Sequence, residues 1–164
     1  MNATGKTVTR ICDALSLFAI GIAGAAVVCM AAVEAWQVFA RYVLDDAPSW
    51  TEPVALLLMS TAMMFGAAAG VRSNRHFGFF ILVEAARPGV RRMMRLLARL
   101  VACAVGLMLM AWGASMTVDA WGYSMAGAPL PQGLVFLPLC LGGALITAFA
   151  LEWILQPDRD IAAH

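Results

Sequence analysis

Apolar residues fall along this chain in four long blocks, at about residues 13–39, 54–71, 96–118 and 134–155, divided by short polar breaks. Each block holds about 18 residues or more, enough for a helix rising 1.5 Å per residue to cross a hydrocarbon core of about 30 Å. None shows the two-residue alternation of a barrel strand, and lipid offers the backbone no hydrogen-bond partner outside the segment. The pattern therefore predicts an all-α integral membrane protein of four transmembrane helices, forming one membrane domain over residues 1–164. Lys6 and Arg10 precede the first block. Its apolar run far exceeds the roughly 7–15 residues of a secretory h-region, so it reads as an uncleaved span.

Composition agrees. The 164 residues are 62% hydrophobic and 13% charged, with a mean hydropathy of +0.82. A soluble domain is about half apolar and a quarter charged, so no separate soluble domain is expected. Cys12, Cys29, Cys103 and Cys140 are scattered without a C-x-x-C, which argues against thiol-redox chemistry and zinc. They read as small buried thiols.

The placement of charge orients the chain. Lys6 and Arg10 lie in the N-terminal tail and Arg41 in the first loop, while Arg72, Arg75, Arg87, Arg91, Arg92 and Arg95 crowd the second. The third loop has no basic residue, and the C-terminal tail has Arg159. Basic residues favour the cytoplasmic side, which predicts both termini inside. Tyr42, Trp50, Trp121 and Tyr123 then flank the two outer loops at headgroup level, and Trp153 marks the inner end of the fourth span.

The first outer hairpin, RYVLDDAPSWTEP (41–53), is the densest polar stretch between two spans. Ser49 and Glu52 have the spacing of a capping box for the second helix. Pro53 complicates that geometry, and Thr51 as the cap with Pro53 in the first turn is the alternative. Arg41 and Glu52 flank the loop, either as an ion pair across it or as an ordinary cap and a snorkelling arginine. The inner loop holds FGFFILVEAA (77–86), too short to cross and expected to lie in the interface between the second and third helices. Pro88 is placed to open the third helix. Arg91, Arg95 and Arg99 then share one helical face, suited to anionic lipid headgroups. Membrane topology explains this charge without nucleic acid.

Inside the spans, polar chemistry is sparse. Glu34 is the one interior charge of the first block; a carboxylate there requires a partner, a proton or water. Ser115 and Thr117 reach a similar depth on the third helix and are candidate hydrogen-bond partners, as is another subunit. Ala62, Gly66 and Gly70 form a small-xxx-small pattern on the second helix, expected to admit a neighbouring helix closely. Pro138 is expected to kink the fourth helix, and Gly142 and Gly143 to let another backbone approach. His76 and His164 both lie outside the spans, so paired intramembrane haem ligands are missing, and no P-loop or nucleophile elbow is present. The chain reads as a non-enzyme with no cofactor of its own.

The order of features resembles one family. FARYVLD (39–45) closes the first helix, PSWTE (48–52) opens the second, FGAA (65–68) lies within it, VRSNRHFGF (71–79) ends it, and LPQGLVFLP (130–138) leads into the fourth. This is similar to the small membrane subunit of tripartite ATP-independent periplasmic (TRAP) transporters, the DctQ-like proteins, over most of the chain. The positions carrying the match are Arg41, Ser49, Trp50, Glu52, Gly66, Arg72 and His76; Pro53 departs from it. The resemblance implies a multi-pass inner-membrane protein beside a large transport subunit and a periplasmic substrate-binding protein. It implies import of an organic acid with an ion gradient, any sodium being bound by the large subunit, and a scaffolding role for the small one. Two other readings of the residues stay open: a stand-alone four-helix exporter, and the membrane anchor of a respiratory enzyme.

Overall fold

The computed structural model describes residues 3–46, 48–73 and 88–155, except the side chains of 3–6, 88, 91 and 92. Four helices carry the structure: α1 (Ala3–Val43), α2 (Thr51–Arg72), α3 (Pro88–Asp119) and α4 (Leu137–Leu155). A 3-10 turn, Gln132–Phe136, leads into α4. All four helical segments are long and apolar enough to cross a membrane. The predicted interfacial segment 77–86 and His76 fall outside the described residues, as do the side chains of Arg91 and Arg92.

The helices do not close into a ring. α1 packs along α2, α2 along α4, and α4 along α3, so the order across the molecule is α1–α2–α4–α3. This is two helical hairpins joined along α2 and α4. α4 and α2 occupy the middle of the row, and Phe149 of α4 is fully buried against Cys12, Ala68 and Ile146.

α1 meets α2 through a regular seam. Thr9, Cys12, Ser16, Ala19, Ala23, Ala26, Met30, Val33, Gln37 and Ala40 are the buried or half-buried α1 positions, with Ile22 beside them. Their spacing alternates between three and four residues, the 3.5-residue period of a left-handed coiled coil. Most of these side chains are small, so dispersion contacts between close backbones replace a thick layer of large side chains. α1 is 41 residues long, about 61 Å, roughly twice the thickness of a hydrocarbon core.

The tightest approach lies between α3 and α4 rather than at Gly66. A Cβ added to Gly113 would stand 2.7 Å from the Cys140 backbone nitrogen, and one at Gly143 would stand 2.6 Å from the Met110 nitrogen. At Gly66 the same atom would meet only Ala23, at 4.0 Å. Within this chain the closest helix contact is made by glycines of α3 and α4 that face each other, while Gly66 borders an open groove. Gly142 and Gly143 do admit neighbouring backbone, as their sequence position suggested.

Two prolines act as helix starters. Pro88 is the first residue of α3, as expected. Pro138 is the second residue of α4, so it opens the α-helix after the 3-10 turn instead of kinking it. Its missing N–H falls where no intrahelical acceptor is left unmatched.

Candidate functional site

The main polar constellation sits at the end where α1 and α3 begin and α2 and α4 finish. Arg72, the last residue of α2, is its centre. Its Nη2 donates to Asp13 Oδ1 of α1 at 2.6 Å, and its Nη1 lies 3.1 Å from Glu152 Oε2 of α4. Thr9 Oγ1 of α1 donates to the other oxygen, Oε1, of Glu152 at 3.2 Å. Arg99 Nη1 of α3 donates to the Trp153 carbonyl of α4 at 3.0 Å. The two guanidinium carbons lie 5.6 Å (Arg72) and 5.4 Å (Arg99) from the centroid of the Trp153 ring, within cation–π range. Every helix contributes to this clasp.

Local structure explains why the groups gather there. A cation in the last turn of α2 complements the negative end of that helix. Glu152 occupies the last turn of α4, the wrong end for a carboxylate, and burial would make it costlier still without a cation. The side chains of Arg72 and Glu152 are only 6% and 3% exposed, against 60% for Asp13. The buried pair is therefore the tightly coupled one, and Asp13 is its hydrated outer member. Arg72 and Arg99 balance Asp13 and Glu152 in charge. Buried Arg72 Nε and Trp153 Nε1 have no hydrogen-bond partner among the described residues, so the clasp is not an ideally satisfied network. A buried ion pair of this kind is by itself weak evidence for net stability, whereas loss of one partner would leave a buried charge unmatched.

A second set of contacts joins the two hairpins at the opposite end. Ser49 Oγ donates to the Gly127 carbonyl at 3.1 Å, tying the α1–α2 loop to the α3–α4 loop. Gly127 has φ +85°, and a Cβ there would run into the Ser49 carbonyl, so this position requires glycine. The second loop is braced by Met125 N–H to Leu130 O and Gln132 N–H to Tyr123 O, each 2.8 Å. Thr51 is fully buried and its Oγ1 donates to the Pro48 carbonyl at 2.8 Å.

These contacts revise several expectations. The capping box does not form: Trp50 occupies the N-cap without a side-chain bond, α2 begins at Thr51, and Pro53 falls in its first turn. Ser49 spends its hydroxyl on the other loop instead. Arg41 and Glu52 are both exposed, and no ion pair joins them. Ser115 bonds Asp119 at 3.3 Å and Thr117 bonds the Gly113 carbonyl at 2.7 Å, so neither reaches Glu34. The reason is the row order, which separates α1 from α3. Glu34 itself is exposed on the surface of α1. Trp50 is exposed, Gly66 and Gly70 are half-buried along α1–α2, and Arg95 and Arg99 are half-buried on α3. Arg99 turns toward Trp153 rather than only toward solvent.

The sequence alone does not mark Asp13, Glu152 or Trp153 as site residues. Each reads in sequence as a charge or anchor at the end of a span. A carboxylate at the wrong end of a helix was the available signal for Glu152.

Chemically, the arrangement holds helix ends. No group of three or more His, Cys, Asp or Glu side chains is placed to hold a metal among the described residues. A comparison with curated proteins returned no match. The family model described as tripartite ATP-independent periplasmic transporters, DctQ component, matches residues 30–160. It covers α2, α3, α4 and the latter part of α1, and so takes in Arg72, Arg99, Glu152 and Trp153 but not Thr9 or Asp13. With its four membrane-spanning helices, the chain belongs to the DctQ component family, the small multi-pass inner-membrane component of TRAP transporters.

Proposed function

We propose that this chain is the scaffold subunit of a TRAP-type secondary transporter that imports an organic acid with an ion gradient. In this reading it holds the large transport subunit in the membrane while a periplasmic binding protein delivers cargo. The observation that supports it best is the open row of helices. Most of α1 and α3 faces outward, and the polar investment goes into fixing helix ends, not into a cavity crossing the membrane. Both termini lie in the cytoplasm on this proposal, following the basic-residue bias. The Arg72 clasp then faces the inner leaflet, Arg91 and Arg95 meet anionic headgroups, and the Ser49–Gly127 tie faces the periplasm. The chain itself holds no cofactor; sodium, as the coupling ion, is bound by the large subunit.

Reconstitution tests this directly. Liposomes holding this chain and the large subunit, with the binding protein added outside, should take up an organic acid when an inward sodium gradient is imposed. Omitting this chain should abolish uptake. Drug efflux by this chain alone would favour the small-exporter reading, and haem absorbance in the purified protein would favour a respiratory anchor.

A further inference from the structure

One face of α1 is built for a neighbour that the chain does not supply. Glu34 is exposed and makes no hydrogen bond or ion pair with any described residue. It lies on a line with Ile20 and Val27, at seven-residue spacing, on one flank of the α1 seam. Ile20 and Val27 form one side of a shallow apolar groove between α1 and α2, floored by Gly24, Gly66 and Gly70. A Cβ added at Gly24 would meet nothing within 4 Å, so the chain leaves this groove unfilled.

The position of Glu34 decides what fits. Ala23 stands opposite Gly66, and counting along both antiparallel helices puts Glu34 level with about Ala55, roughly one turn inside the start of α2. An acyl chain would fill the groove but would offer the carboxylate no hydrogen-bond donor, and a lipid-facing carboxylate in a span is costly. A second copy packed symmetrically on this face would bring Glu34 toward its own equivalent, like charge against like.

We propose that this face seats a transmembrane helix of the large TRAP subunit. That helix would carry a smooth apolar surface and, about two turns along it, a basic or hydrogen-bonding side chain that receives Glu34. The proposal rests on the scaffold reading above and names the surface through which it works. Close apolar packing would supply contact, and the donor opposite Glu34 would fix the register.

The test uses the complex as it exists. In a background with the four native cysteines replaced by alanine, Ile20→Cys and Val27→Cys should cross-link to cysteines scanned along the helices of the large subunit. Phe18→Cys, exposed on the opposite side of α1, should not. Gly24→Leu should cut co-purification with the large subunit about tenfold by overpacking one helix contact, while the isolated subunit keeps its melting temperature. Glu34→Ala should cut it by a similar, roughly tenfold, factor, and Glu34→Gln should retain most of it, since an amide oxygen still accepts. Wild-type co-purification by both Gly24→Leu and Glu34→Ala overturns the proposal and leaves the scaffold reading standing. Cross-linking of Val27→Cys only to a second copy of this chain, or only to a lipid probe, also overturns it. Failure of the unaltered chain to co-purify with the large subunit defeats both.

Discussion

The two ends of the helix row are joined in opposite ways. At one end, Arg72 gathers two carboxylates from two other helices, and the contacts run between charged side chains, two of them buried. At the other, a serine hydroxyl and a glycine without room for a side chain bring two loops together through backbone carbonyls. Short loops already confine the helix ends they connect, so the hairpin end needs only a light tie. At the clasp end α1 and α4 lie far apart in sequence and no short loop brings them together. Long-range pairing there has to be specified by side chains, and buried charges discriminate strongly between right and wrong partners.

The largest effect should come from the clasp. Glu152→Ala leaves the Arg72 guanidinium buried without its main partner, at a cost of about 3–5 kcal/mol. Thermal melting of the detergent-purified protein would register this as a large fall in midpoint. Asp13→Asn should cost only about 0–1 kcal/mol, because that carboxylate is 60% exposed and screened by water. Replacing both buried partners, Arg72→Met with Glu152→Leu, should restore much of the loss. Equal losses at Asp13 and Glu152 would break the distinction between the buried pair and its hydrated outer member.

A smaller effect belongs to the hairpin end. Gly127→Ala forces a side chain into a left-handed backbone and against the Ser49 carbonyl, at a cost of about 1–3 kcal/mol. The same melting measurement applies, and a loss exceeding that of Glu152→Ala would reverse the ranking of the two ends. The smallest effect concerns Arg41 and Glu52. Arg41→Ala and Glu52→Ala should add in the double variant to within about 0.5 kcal/mol. Coupling beyond that would show that the loop closes through a pair the exposed side chains do not form here.

The four spans were legible because lipid punishes any apolar run that is not helical, so each run nearly dictates its own structure. Their order across the molecule was not. Apolar side chains gain little by choosing one apolar neighbour over another within lipid, and the choice falls to glycines and a few charges whose pairing is non-local. Gly66 illustrates this. Its small-residue spacing is equally suited to a contact inside the chain or with a partner, and inside the chain Gly66 is half-buried with only Ala23 opposite it. The α1 seam from Thr9 to Ala40 emerges only from which positions are buried, because Ala, Gly and Cys also fill the other faces of α1 and blur its period in the sequence. Arg72 was marked by family resemblance alone, and neither of its partners was. Ser49 was marked for a cap, yet the same hydroxyl donates to a carbonyl in another loop.

The clasp also has an order in time. A ribosome makes Asp13 first, then Arg72, and Glu152 last of the three. A first hairpin that inserts as it is made has Asp13 as its one carboxylate partner for Arg72 until Glu152 follows. Arg72 therefore has a counter-ion within its own hairpin from the moment that hairpin closes, and it waits in company for the second hairpin to bring Glu152. A residue worth little in the finished protein is in this way well placed to matter during its insertion.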